Sequence, residues 1–287
     1  MFKKAEKKQV KLKIALTAPS GGGKTFGALR LASGLGKKIA VIDTEKGSAS
    51  LYSDKFDFDV LELSPPFTTE KYHQAIKAAE KAGYDVLVVD SISHAWAGDG
   101  GLLAQKEQID ARGKGNSYTN WATITKKHEK FISNLLHSNI HLIATMRTKQ
   151  EYILKENGKG KSIPMKVGMA PVQREGMEYE FTCVFDIGMT HEAQSSKDRT
   201  DLFPEDRIFK ITEEIGVELK EWMLDGKEPP KAADVSSEIV DLLELIFDDN
   251  IKADATKSHE KAGENVNELM RIRDKLASLS EIKAVNK

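Results

Sequence analysis

Cysteine is almost missing from this sequence: 287 residues contain one, Cys183. No disulfide framework can close within the chain. The apolar run around that cysteine, residues 181–187, suits a buried structural thiol in a reducing compartment. Charge of one sign is also missing. The 43 basic and 44 acidic residues leave a net charge of −1, so no global field draws nucleic acid, and any such site must be a local patch. No run reaches the roughly 18 apolar residues of a membrane span, and Met1-Phe2-Lys3-Lys4-Ala5 lacks the apolar stretch of a secretory signal. A soluble cytoplasmic protein with no membrane partner is expected. The histidines, among them His73, His94, His128, His137, His141 and His191, show no metal-ligand spacing, and no internal repeat is present. The length suffices for one large domain with an appendage.

Ala18-Pro19-Ser20-Gly21-Gly22-Gly23-Lys24-Thr25 stands out against this background. It follows an alternating run, residues 10–17, in which Val10, Leu12, Ile14 and Leu16 oppose Lys11 and Lys13. A helix-like run carrying Phe26, Leu29 and Leu31 comes next and stops at Gly34 and Gly36. Strand, glycine loop and helix in that order form a phosphate-binding P-loop. Glycines let successive backbone N–H groups face a polyphosphate. Lys24 reaches the β- and γ-phosphates, and the Thr25 hydroxyl serves Mg²⁺ at the helix N-terminus. Pro19 to Gly23 form the rest of the cradle. Ala18 replaces the usual first glycine.

Further along, residues 38–44 read as a buried strand ending in Asp43-Thr44-Glu45, and residues 58–63 as another. A helix is predicted over 69–81, with Tyr72, Ala75, Ile76 and Ala79 on its apolar stripe. Residues 84–91 are apolar on both faces until Asp90, as in a central parallel strand. An aspartate closing such a run needs a charged partner, so Asp90 reads as the Walker B ligand of Mg²⁺, on a strand expected beside that of the P-loop. Residues 97–118 look like a glycine-containing loop with at most a short helix. A helix carrying Trp121, Ile124, His128, Phe131, Ile132 and Leu135 follows, then a buried strand over 139–145 ending at Arg147.

Asn157-Gly158 marks a hairpin turn. Later strands are expected over 179–187 and 207–211 as an antiparallel extension, separated by the polar stretch 195–200. The β-α alternation through Thr145 predicts an α/β fold with a mostly parallel twisted sheet flanked by helices. Its domains would be a core over 1–225, a linker over 226–234 and a small helical tail over 235–287, with helices at 236–247 and 265–279.

Nucleotide hydrolysis needs a phosphate cradle, a metal, a positioned water and compensation for charge on the γ-phosphate. Glu45 is either the residue that orients the water or a solvated loop carboxylate. The segment from Lys149 to Arg174 holds Lys155, Lys159, Lys161 and Lys166, with Tyr152 for base stacking. It is either a single-stranded nucleic-acid contact or an ordinary charged hairpin. Lys106, Arg112, Lys114 and Tyr118 offer a weaker second patch, diluted by Glu107 and Asp110.

The P-loop, then Ile42-Asp43-Thr44-Glu45, then VLVVDSIS at 86–93, LIATMR at 142–147 and SKDR at 196–199, together resemble the core of the RecA/RadA recombinase ATPases. More closely they resemble the short phage-encoded RecA-like proteins classed as single-strand annealing ATPases. TMRTKQEY, KVGMAPVQREGMEYEF and SSKDRT, all within 145–200, point to that branch. The likeness covers about residues 10–225 and leaves the tail outside.

It implies ATP and Mg²⁺ as cofactors, single-stranded DNA as partner, and a homo-oligomeric ring or filament with ATP between protomers, in a bacterial host cytoplasm if phage-encoded. Glu45 matches the water-activating glutamate. Arg147 stands where the family has a polar residue that senses the γ-phosphate and relays to a DNA-binding loop, and arginine there would strengthen charge stabilisation. Lys197 and Arg199 fall where basic residues reach a neighbour's nucleotide. Phe2 and Ala5 resemble a protomer-docking element, and a tail helix could meet a single-strand-binding protein. A ring helicase core and an annealing mediator with a slow regulatory ATPase remain the alternatives.

Overall fold

Strand β1 (Lys13–Ala18) is buried along its whole length, because it lies inside a sheet covered on both faces. The computed structural model describes residues 4–113, 116–156, 162–228, 230–246 and 248–285. After β1 come α1 (Lys24–Leu35), β2 (Ile39–Asp43), β3 (Asp59–Glu62), α2 (Thr69–Lys81) and β4 (Val86–Asp90). Next are α3 (Ser93–Ala97), α4 (Leu102–Ala111), α5 (Ser117–Leu136), β5 (His141–Glu156) and β6 (Ser162–Pro171). The chain continues through β7 (Cys183–Ile187), β8 (Ala193–Asp198), β9 (Ile208–Phe209), α6 (Glu213–Leu224), α7 (Ala232–Glu244), α8 (Asp249–Ala262) and α9 (Val266–Val285).

The sheet runs β3-β2-β4-β5-β1-β7-β8-β9, with β6 paired to β5 off this path. From β3 to β7 every pairing is parallel, while β8, β9 and β6 join antiparallel. This is an α/β fold with a mostly parallel sheet. Alternation along each central strand splits the core in two. Leu12, Ile14, Leu16, Val86, Val88 and Ile143 pack against α1 and α6, whereas Ala15, Leu87, Val89, Leu142 and Ala144 face α2, α3 and α5. Each Leu, Ile or Val side chain among these contributes about 1.5–3 kcal/mol by leaving water. Helices α1 and α6 touch backbone to backbone: a Cβ on Gly34 would sit 2.1 Å from Glu213 O, so only glycine fits there.

Several elements differ from the sequence expectation. Strand β5 lies between β1 and β4, so Asp90 is not on the neighbour of the P-loop strand. Strand order is a tertiary choice that no local pattern carries. Residues 97–118 contain the helix α4, and Asn116 and Thr119 form a capping box for α5. The polar stretch 195–200 is largely strand β8, where buried Ala193 and Ser195 alternate with exposed Gln194 and Ser196. The span 179–187 starts as a 3-10 turn (Met177–Glu180) before β7, which runs parallel to β1. Lys13, expected on a wet strand face, is buried. Its Nζ donates to Ser138 O, Ser138 Oγ and Ile140 O at 2.8, 2.6 and 2.7 Å.

The chain divides into two compact units, 11–223 and a second made of 1–10 with 224–287. The second holds three helices where two were expected. Val235, Ile239, Leu243, Leu269 and Leu276 form its core. Helix α8 escaped notice because its residues DNIKADATKSHEKA carry little apolar periodicity. Within this unit Gln9 N donates to Lys227 O and Lys227 N to Lys7 O, both at 2.9 Å. Phe2 lies outside the described residues. Among the described residues, no helix is long and apolar enough to cross a membrane.

His141 accepts a hydrogen bond at Nδ1 from Leu12 N–H at 3.1 Å. That bond requires a neutral ring. Burial, helped by Lys11, Lys13 and Lys220, pushes its pKa from 6.5 down to about 3. Between these values the unfolded chain holds the extra proton, so stability falls as pH drops from 6.5 towards 3, by up to about 1.4 kcal/mol per pH unit. His141→Asn keeps an acceptor and should flatten this slope by one proton's worth relative to the wild type. Denaturant unfolding at about pH 6.5 and pH 5 measures it; equal slopes in the two proteins would refute the assignment.

Candidate nucleotide site

The loop 19–23 joins β1 to α1 at the carboxyl edge of the sheet. Gly21 and Gly23 have φ of +80° and +88°, which glycine adopts without steric cost. A Cβ on Gly22 would lie 2.9 Å from Ala18 Cβ. The methyl that replaces the usual first glycine therefore occupies room that Gly22 leaves. The N-cap of α1, Gly23, provides no side-chain cap, so the first amides of the helix remain available to an anion. Lys24 is nearly buried, its Nζ 3.5 Å from Pro19 O.

Thr25 Oγ1 donates to Asp90 Oδ2, and Thr145 Oγ1 donates to Asp90 Oδ1 at 2.5 Å. Asp90 is wholly buried. Burial raises its pKa, opposed by the Thr145 and Thr25 hydroxyls; the Glu45 charge raises it further and Lys24 lowers it. A carboxylate and a hydroxyl oxygen are the hard donors that Mg²⁺ takes, with waters and phosphate oxygens completing its shell. Thr25 and Asp90 thus fit the metal. Among the described residues no group of three or more His, Cys, Asp or Glu forms a protein cage, and a magnesium bound with its nucleotide needs none.

Glu45 is set by the end of β2. Asp43 accepts from Glu45 N at 2.6 Å and from Ala49 N at 2.9 Å. Thr44 N donates to Asp90 O at 2.7 Å, and Ser91 N to Thr44 Oγ1 at 2.9 Å, which ties the turn to the end of β4. His94 Nδ1 lies 2.6 Å from the same hydroxyl. Burial first, then the Arg147 cation, lowers the His94 pKa. Glu45 Oε1 accepts from Arg147 Nε at 2.8 Å. Arg147 lies in register with Ala18. Its N–H donates to Ser93 Oγ at 3.0 Å, and its carbonyl accepts from Val172 N at 2.6 Å.

Lys24, Thr25, Glu45 and Arg147 line a common cleft of about 790 Å³ with Arg30, Tyr52, His191 and Lys210, a size suited to a nucleotide. Phe26 and Tyr52 meet edge to face at 5.3 Å inside it. Sequence reading missed Thr145, Thr44, His94, Tyr52 and His191. Thr44 and Thr145 lie within motifs already noted and His94 directly follows one; Tyr52 and His191 had no local signal.

Two expected groups lie elsewhere. Lys197 Nζ donates to Tyr179 O, as does Arg199 Nη2 at 3.1 Å. Lys197 is in register with Val184, about 10 Å below the end of β7 at ~3.3 Å per residue. Neither residue lines the cleft of its own chain. The hairpin residues fall on the antiparallel arm that β5 and β6 build beyond Arg147. Exposed Lys149 stands opposite Ala170, Tyr152 opposite Lys166 and Lys155 opposite Ile163. Arg174 follows β6, its N–H donating to Gln173 Oε1 at 3.0 Å. Lys159, Lys161 and the Asn157-Gly158 turn lie outside the described residues, as does Lys114. In the weaker patch Lys106 is bound to Asp110 and, at 2.7 Å, to Ser117.

A glycine loop capping α1, a buried aspartate bonded to its threonine, and a glutamate on the next strand end define a P-loop nucleotide-binding domain. The chain belongs to the family described as AAA domain, whose model matches residues 10–228. A solved structure described as the crystal structure of the RadB recombinase aligns with 71% of this chain and 89% of its own at 21% identity. Its TM-score of 0.36 is too low to bear on function. No curated protein matches the sequence.

Removing the Thr145 hydroxyl takes a donor from a buried carboxylate and should weaken the metal end of the site. Thr145→Val should raise the Mg²⁺ concentration needed for half-maximal nucleotide binding about tenfold, in line with losses of outer ligand support. A magnesium titration of nucleotide binding reads this out, and an unchanged midpoint would show that Thr145 does not support the metal site.

Proposed function

We propose that this chain is a RecA-like ATPase that binds ATP·Mg²⁺ and single-stranded DNA in recombination or annealing, as an oligomer with ATP between protomers. One observation carries the reading: a single strand, β5, brings Arg147 to the nucleotide cleft and continues, with a register shift between Glu151 and Tyr152, into the lysine-bearing arm. A change at the γ-phosphate would then reach the arm through one residue's main chain, which is bonded on one side to Ser93 and on the other to Val172.

In this mechanism the loop amides and Lys24 hold the β- and γ-phosphates, and Thr25 and Asp90 hold the magnesium. The ion supplies compensation for charge on the phosphates. Glu45 orients the attacking water, and Arg147 balances charge as the γ-phosphate leaves. Lys149, Tyr152, Lys155, Lys159, Lys161, Lys166 and Arg174 make the DNA contacts, which are independent of sequence and weakened by salt. The distance of Lys197 and Arg199 from their own cleft supports a role at a neighbour's nucleotide, for which they would exchange the Tyr179 carbonyl.

Single-stranded DNA should stimulate steady-state ATP hydrolysis several-fold, and Lys24→Ala should abolish it. No stimulation, together with no DNA retention at low salt, would remove the DNA half of this reading; robust hydrolysis by the Lys24 variant would remove the nucleotide half. For the shared site, Arg199→Ala should bind nucleotide yet be inactive, and mixing it with Lys24→Ala should restore activity. Mixed oligomers without activity at any ratio would show that Arg199 does not act across the interface.

A further inference from the structure

The turn joining β7 to β8 is built to hold one side chain against the P-loop. Gly188 N donates to Glu192 O at 2.9 Å and His191 N to Gly188 O at 3.1 Å, closing residues 188–192 into a tight reversal. His191 takes φ of +62°, a left-handed conformation in which histidine, asparagine and aspartate are enriched. From there its Nδ1 lies 3.2 Å from Gly22 O, and a Cβ on Gly23 would come within 3.1 Å of the same nitrogen. A carbonyl only accepts, so Nδ1 carries the proton.

The peptide unit is planar, with its C=O and N–H on opposite sides. A donor fixed on Gly22 O therefore turns the Gly23 N–H to the side away from the imidazole. We propose that His191 is a positioning residue of the phosphate cradle: it fixes the Gly22–Gly23 peptide from outside the loop and so aims the Gly23 N–H at a bound polyphosphate. This rests on reading the cleft as a polyphosphate site. The chemistry His191 serves is the phosphate chain, whatever base or sugar is attached.

The same position could instead serve a base or ribose, or merely hold the turn, and the experiment separates these. His191→Gly and His191→Asn both tolerate the left-handed backbone. Only asparagine restores a donor, its amide nitrogen standing at the same bond distance from Cα as Nδ1. Calorimetric titration would use the β,γ-imido analogue of ATP, ADP and inorganic tripolyphosphate, each with Mg²⁺, alongside steady-state ATP kinetics.

His191→Gly should weaken all three ligands by a common factor of about 2–10, the worth of one hydrogen bond. It should raise KM with little change in kcat, and His191→Asn should recover most of the loss. A nucleotide-only effect that spares tripolyphosphate would overturn the proposal in favour of base or ribose contact. Asparagine no better than glycine would also overturn it, because no donor would then be at work. Failure of the wild type to bind any of the three would overturn the polyphosphate site itself, a result distinct from failure of His191 alone.

Discussion

The site depends on one buried carboxylate. Asp90 has no exposure to solvent, and removing an ionised carboxyl from water costs several kcal/mol unless partners repay it. Two hydroxyls from different elements do so in part: Thr25 from the first turn of α1 and Thr145 from β5. Both lower a pKa that burial raises. The P-loop helix, β4 and β5 are thereby pinned to a common point, and Thr44, bonded to Asp90 O and Ser91 N, draws the end of β2 to it.

The second carboxylate is handled differently. Glu45 is partly exposed and paired with Arg147, which is nearly half exposed, so the pair costs little to form and little to exchange. Its main-chain N–H donates to Asp43 at 2.6 Å, and its carboxylate is held only by the exchangeable Arg147 pair. Asp90 thus lies desolvated, and Glu45 partly hydrated. In the proposed mechanism that difference suits Asp90 to the metal and Glu45 to the water.

What could be read from sequence follows the range of the forces involved. Lys24, Thr25 and the glycines depend on residues within one turn, and Asp90 announced itself as a charge closing an apolar run. The α2 helix over 69–81 carried its own stripe. Strand order left no trace in local pattern, so β5 between β1 and β4 came only from structure. A strand such as β8, with buried serine and alanine, lacks the apolar alternation that marks a strand. Helix α4, bracketed by glycines, offered too little periodicity to be told from a loop. His191 reaches the P-loop through a turn far along the chain, and no spacing rule connects residue 191 to residue 22.

The insertion of β5 also decides what the site can do. Alternate residues of a strand face the same way, so Thr145 and Arg147 project to the side that also receives Thr25. One meets the buried carboxylate and the other the exposed one. Had β4 stood next to β1, as the sequence suggested, Asp90 would face the P-loop threonine with no third strand between them. Because β5 occupies that place, the strand whose Thr145 donates to Asp90 also carries the arginine on Glu45, and that arginine's carbonyl is bonded to the chain leaving the arm at Val172. The structural link between the cleft and the arm is therefore the main chain of Arg147, bonded to Ser93 on one side and Val172 on the other.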